Sequence, residues 1–81
     1  MRITVRFFAI LRDRAGVEAT SLELPEPSVV SVAVERIASQ FPSLQRDLKR
    51  AAFAVNRDYV KPDAPLSDGD ELALIPPVSG G

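Results

Sequence analysis

The sequence predicts an α+β domain in which a mixed sheet of four to five strands carries one main helix on one face. Three observations point there. Residues 2–8 alternate polar and apolar, residues 30–41 carry an apolar stripe at helical spacing, and residues 71–75 alternate again just before two prolines. Strand signals at both ends with a helix between them are the pattern of one layer of sheet covered by one helix.

Each element follows from its residues. In Arg2-Ile3-Thr4-Val5-Arg6-Phe7-Phe8, the side chains of Ile3, Val5 and Phe7 share one face, and Arg2, Thr4, Arg6 and Phe8 share the other. Ala9 to Gly16 reads as a loop closing on a glycine free to take positive φ. Residues 17–24 alternate more weakly and form the return strand of a hairpin, which Pro25-Glu26-Pro27 ends. Val30, Val34, Ile37, Ala38 and Phe41 then fall on one helical face, expected to be core. Ser31 is a candidate N-cap, and Pro42 stops the helix. Ser43 to Arg50 reads as a short amphipathic helical segment with a basic surface of Arg46, Lys49 and Arg50.

Ala52–Val55 reads as a third strand, Asn56-Arg57-Asp58 as a turn, and Tyr59-Val60 as a very short fourth strand. Leu66 to Asp70 is a tight turn around Gly69, and Glu71–Ile75 is the last strand with Leu72 and Leu74 inward. The order β-β-α-β-β, with a hairpin first and a strand last, places the first and last strands side by side and parallel at the sheet centre. That is the β-grasp arrangement. Residues 1–76 form the domain, and residues 77–81 a flexible C-terminal tail.

Composition narrows the chemistry. The 81 residues suit one domain, and a formal net charge of −1 offers no basic field to hold nucleic acid or an anionic membrane. There is no cysteine and no histidine, which removes disulfides, thiolate or imidazole metal sites, and Cys or His catalysis. No apolar run approaches the roughly 18 residues of a membrane span. The N-terminus lacks signal-peptide character, so a cytoplasmic location is expected. Asp68-Gly69-Asp70 reads as turn chemistry, and no metal site is expected. The remaining chemical group of note is the carboxylate of Gly81. Six residues follow Ile75. Extended at roughly 3.3 Å each, they reach on the order of 20 Å. Pro76 and Pro77 stiffen the exit, and Gly80-Gly81 adds no side-chain bulk, so a narrow pocket in another protein can admit the end.

The stretch Phe7-Phe8-Ala9-Ile10-Leu11-Arg12-Asp13 with Gly16, then Val55-Asn56 with Tyr59-Val60, then Leu66-Ser67-Asp68-Gly69-Asp70-Glu71-Leu72-Ala73-Leu74-Ile75-Pro76-Pro77-Val78-Ser79-Gly80-Gly81, resembles the molybdopterin synthase small-subunit family of ubiquitin-like sulfur carriers. The likeness covers nearly the whole chain, and the block from Asp68 to Gly81 is its most specific part. The resemblance implies that Gly81 is the reactive residue, adenylated by an enzyme related to the ubiquitin-activating enzymes with ATP-Mg. A persulfide donor of the cysteine desulfurase or rhodanese type then converts it to a thiocarboxylate. Pro77, Val78, Ser79 and Gly80 enter the active site of a large synthase subunit, where sulfur passes to cyclic pyranopterin monophosphate. The implied assembly is a heterotetramer. The chain itself holds no cofactor, and acts as a sulfur-donating subunit without catalytic groups of its own.

Phe8 and Ile75 face outward on neighbouring strands at the root of the tail, which marks them as a docking patch. The resemblance points to the same two positions, and Arg12 lies inside the family-like motif as a further partner contact. Carriers for thiamine synthesis or tRNA thiolation share the fold and the Gly-Gly. A protein modifier joined through Gly81, and a binding module whose tail is never activated, also remain open from sequence.

Overall fold

The computed structural model describes residues 1–77, so Val78, Ser79, Gly80 and Gly81 lie outside the described residues. Strand β1 (Arg2–Phe7) has the alternation read from sequence, with Ile3, Val5 and Phe7 buried and Arg2, Thr4 and Arg6 exposed. The elements that follow are α1 (Ile10–Ala15), β2 (Ala19–Glu23), α2 (Val30–Gln40), a 3₁₀ turn (Pro42–Leu44), α3 (Gln45–Leu48), β3 (Ala52–Val55), β4 (Asp58–Val60) and β5 (Glu71–Ile75). The five strands form one sheet in the order β2-β1-β5-β3-β4. The central pair, β1 and β5, is parallel, with Val5 opposite Leu72 and Phe7 opposite Leu74. All other pairs are antiparallel. The β-grasp arrangement expected from element order is the one observed.

One sheet face is closed by α2 and the helical segments that follow it. Val30, Ala33 and Ile37 are fully buried, against Ile3, Val5, Leu72 and Leu74 of the two central strands. Val34, Ala38 and Phe41 are half-buried, so Ala33 and not Val34 lies on the line of deepest contact. Phe41 meets Phe7 edge to face, with ring centroids 5.3 Å apart. Leu44 of the 3₁₀ turn and Leu48 of α3 are both buried.

Three local expectations are corrected. Ala9 to Gly16 is not a loop: it contains α1, closed by Gly16 at φ 81° with its N–H donating to the Arg12 carbonyl at 2.9 Å. The helix is one and a half turns long and buries only Leu11, too little for a period to show. Its entry bends at Ala9, whose φ of 51° is rare for a residue with a Cβ. The second correction concerns Ser31. The helix begins at Val30 and no side chain caps it. The free N–H groups of Val30 and Ser31 donate instead to the carbonyls of Ala64 at 2.9 Å and Pro62 at 2.8 Å. The 61–66 connection therefore caps α2 from outside. Strand β2 also begins later than the alternation suggested, at Ala19, leaving Val17 exposed.

The turn before β5 is stapled by its own carboxylates. Asp68 accepts from the Arg2 N–H at 2.8 Å, and the Gly69 N–H, at φ 85°, donates back to the Arg2 carbonyl at 2.8 Å. Asp70 accepts from the Ser67 N–H at 2.7 Å and from the Asn56 side-chain amide at 3.0 Å. These bonds give both acids a structural use.

Because Leu11 is the one buried residue of α1, Leu11→Ala is expected to cost about 2–5 kcal/mol in denaturant unfolding. Ile10→Ala, beside it on the exposed side, is expected to stay within about 1 kcal/mol. Equal effects would contradict the helix placement.

Candidate functional site

The site grows from the central pair of strands. Since β1 and β5 run parallel, they end together, and Phe8 and Ile75 emerge at the same edge. The Phe8 N–H donates to the Leu74 carbonyl at 3.3 Å, extending the β1–β5 pairing one residue past the end of β1. Phe8 is 43% exposed, high for a large apolar side chain, and Ile75 is half-buried. Pro76 is half-buried and Pro77 exposed. The structure thus brings Phe8 and Ile75 together at the root of the tail, as their alternation required. Gly81 and its approach through Val78, Ser79 and Gly80 fall outside the described residues.

Phe8 and Ile75 are two walls of a larger feature. A shallow hollow of about 460 Å³ on the uncovered sheet face is lined by Arg6, Phe8, Ala54, Arg57, Tyr59, Glu71, Ala73 and Ile75. Ala54 and Ala73 sit opposite each other on β3 and β5 and make its floor. Their methyl groups are short enough that the taller neighbours stand around them. Tyr59, paired with Ala54 from β4, is 74% exposed. On the other side Arg6 and Glu71 form an ion pair at 2.8 Å. The surface is apolar at its centre and charged at its margin, the profile of a protein-docking face.

Sequence reasoning found Phe8 and Ile75 but not Tyr59, Arg57, Arg6 or the alanine floor. The signal was present in part: outward positions of β5 read Glu71, Ala73, Ile75, a small residue between two larger ones. What sequence does not give is the β3–β5 register that sets Ala54 beside Ala73.

Arg12 lies on α1, exposed, and among the described residues it has no ion-pair partner. Its neighbour Arg14 is held by Asp47 at 2.7 Å. Arg12 therefore stands at the end of the sheet from which the tail departs, without being part of the hollow. Arg14, Arg46 and Lys49 share a second, polar depression on the helical side, so the basic surface read from sequence is present but separate from the alanine-floored hollow.

A helix laid across a five-stranded sheet, a parallel central pair, and a chain that leaves from the middle strand define a ubiquitin-like β-grasp protein. The ThiS family model matches residues 5–81. The molybdopterin synthase sulfur carrier subunit of Chlamydomonas reinhardtii is 40% identical over 83 residues, spanning 100% of both chains. The putative molybdopterin converting factor subunit 1 from Pyrococcus furiosus superposes with a TM-score of 0.88 at 31% identity, covering 96% of this chain and 99% of that one. A chain in the protein–protein complex of subunits 1 and 2 of the molybdopterin-converting factor from Helicobacter pylori matches with a TM-score of 0.70 at 28% identity over 100% of both. The chain belongs to the ThiS family, as a sulfur carrier of the molybdopterin synthase kind.

The patch gives a direct test. Phe8→Asp is expected to change stability by no more than about 1 kcal/mol, because the side chain already faces solvent. The same change is expected to weaken binding to a cognate large synthase subunit by about tenfold or more in a titration. Loss of the isolated fold would show that Phe8 belongs to the core.

Proposed function

We propose that this chain carries sulfur as a thiocarboxylate on Gly81 and releases it inside the large subunit of a molybdopterin synthase, in the cytoplasm. The observation that carries this reading is the exposed apolar face at the root of the tail, on a chain whose covered face is already a closed core. The family and the named relatives support it.

The chemistry follows from what a carboxylate lacks. Its oxygen is a poor leaving group, so it must be activated. In an adenylating partner, a Gly81 oxygen attacks the α-phosphorus of ATP, assisted by magnesium, and pyrophosphate departs. The terminal sulfur of a donor persulfide then attacks the acyl carbon and expels AMP. A second thiol cleaves the resulting acyl disulfide, leaving the thiocarboxylate and a new disulfide on the donor side. The charged carrier moves to the large subunit, where the thiocarboxylate sulfur attacks an oxygen-bearing carbon of the pterin precursor and that oxygen departs with a proton from the large subunit. Hydrolysis of the acyl link restores the carboxylate, and two such transfers make the dithiolene.

This chain's part is presentation. The rigid β1/β5 pair fixes where the tail begins, and Phe8, Ile75 and Tyr59 orient the domain on each partner. Pro77 starts an approach thin enough for Val78, Ser79, Gly80 and Gly81 to enter a buried site. Arg12, at the same end of the sheet, is placed to meet an acidic group beside that entrance. Two carriers on a dimer of large subunits give the heterotetramer. Acid–base groups and anion sites come from the large subunit.

Intact-mass spectrometry after incubation with a cognate adenylating enzyme, ATP and a persulfide donor tests the proposal. The expected result is a C-terminal mass gain equal to the replacement of one oxygen by sulfur. No gain with an enzyme proven active on another carrier would overturn it, and Gly81-dependent higher-mass conjugates would indicate a protein modifier instead. Removing Gly81 is expected to abolish sulfur transfer while leaving the melting temperature nearly unchanged, because the described ladder ends at Ile75. A large fall in melting temperature would contradict that separation of roles.

A further inference from the structure

The β3–β4 hairpin closes through a two-residue turn in which Asn56 and Arg57 have φ of 50° and 75°. Positive φ at both positions is the type I′ geometry, and the second position is one that glycine fills most readily. An arginine there holds its backbone in the left-handed region, where its Cβ crowds the chain. Asn56 has a local reason to be present: its side chain donates to Asp70 and accepts from the Glu71 N–H, both at 3.0 Å. Arg57 has none of this kind. Among the described residues its guanidinium has no hydrogen bond or ion pair, yet the residue lines the alanine-floored hollow. The other two charges of that rim, Arg6 and Glu71, neutralise each other. Arg57 therefore sets the sign of the hollow's margin.

We propose that Arg57 is a specificity residue of the docking face, and that the large subunit presents there an apolar side chain flanked by a carboxylate. The apolar group fills the hollow over Ala54 and Ala73, between Phe8, Ile75 and Tyr59, and the carboxylate pairs with Arg57. Backbone strain kept at a place of contact is consistent with a side chain retained for binding and not for folding. This inference rests on the proposed function, because it takes the large subunit as the partner.

The test exploits opposite signs. Arg57→Gly relieves the strained φ and removes the charge. It is expected to melt no lower than the wild-type chain, yet to bind the purified cognate large subunit about tenfold more weakly by calorimetry. Arg57→Asn, which also tolerates positive φ, is expected to weaken binding similarly. Arg57→Glu should weaken it further, and Arg57→Lys should recover part of the affinity. The salt dependence of binding should be shallower for Arg57→Gly than for the wild type. Wild type and Arg57→Gly binding with equal affinity would overturn the inference while leaving the proposed function standing. No binding by the wild-type chain would overturn both.

Discussion

The parallel pairing of β1 with β5 decides both the interior and the working surface. It places the two strands with the most buried side chains at the centre of the sheet, where Ile3, Val5, Phe7, Leu72 and Leu74 lie under the helix. It also makes the two strands end at one edge, so the chain leaves the domain beside Phe8. In an antiparallel arrangement β5 would finish beside Arg2, and the tail would depart from the opposite end of the sheet. Position of the tail is thus a consequence of strand direction.

The two faces of the sheet are built from different sizes of side chain. Beneath α2, long branched residues interlock into a dry layer. On the other face Ala54 and Ala73 leave a depression whose walls come from β1, β4 and β5. Alternating small and large residues give that face its relief without disturbing the core. Surface ion pairs such as Arg2–Glu23 and Arg14–Asp47 contribute little to this design, since solvent screens them.

Most of the fold was legible because strands alternate. Residues 2–8 and 71–75 declare their buried faces in every second position, and the helical stripe of 30–41 declares its length. Helix α1 was not legible, because one buried leucine in six residues carries no period, and its entry depends on an unusual φ at Ala9. The start of α2 was misread for a different reason: its caps are the carbonyls of Pro62 and Ala64, remote in sequence. At the site, Phe8 and Ile75 followed from alternation plus the expected parallel pair. Arg57 and Tyr59 did not, because their place on the same surface depends on the register of β3 and β4 across β5.

The sheet order also constrains how the molecule can be made. The β1–β2 hairpin and the β3–β4 hairpin do not touch each other through backbone bonds; β5 joins them. Until residues 71–75 insert, the two hairpins are separate ribbons, and two isolated ribbons are barely stable in water. Pairing Thr4 with Glu71 closes a loop of most of the chain, an entropically slow step. Folding should therefore be all-or-none and late, with no partly assembled form that displays the docking face. On the proposed function, a partner that reads Phe8 and Ile75 together would thereby read whether the central strand has been inserted, and an unfinished chain would offer it no complete surface.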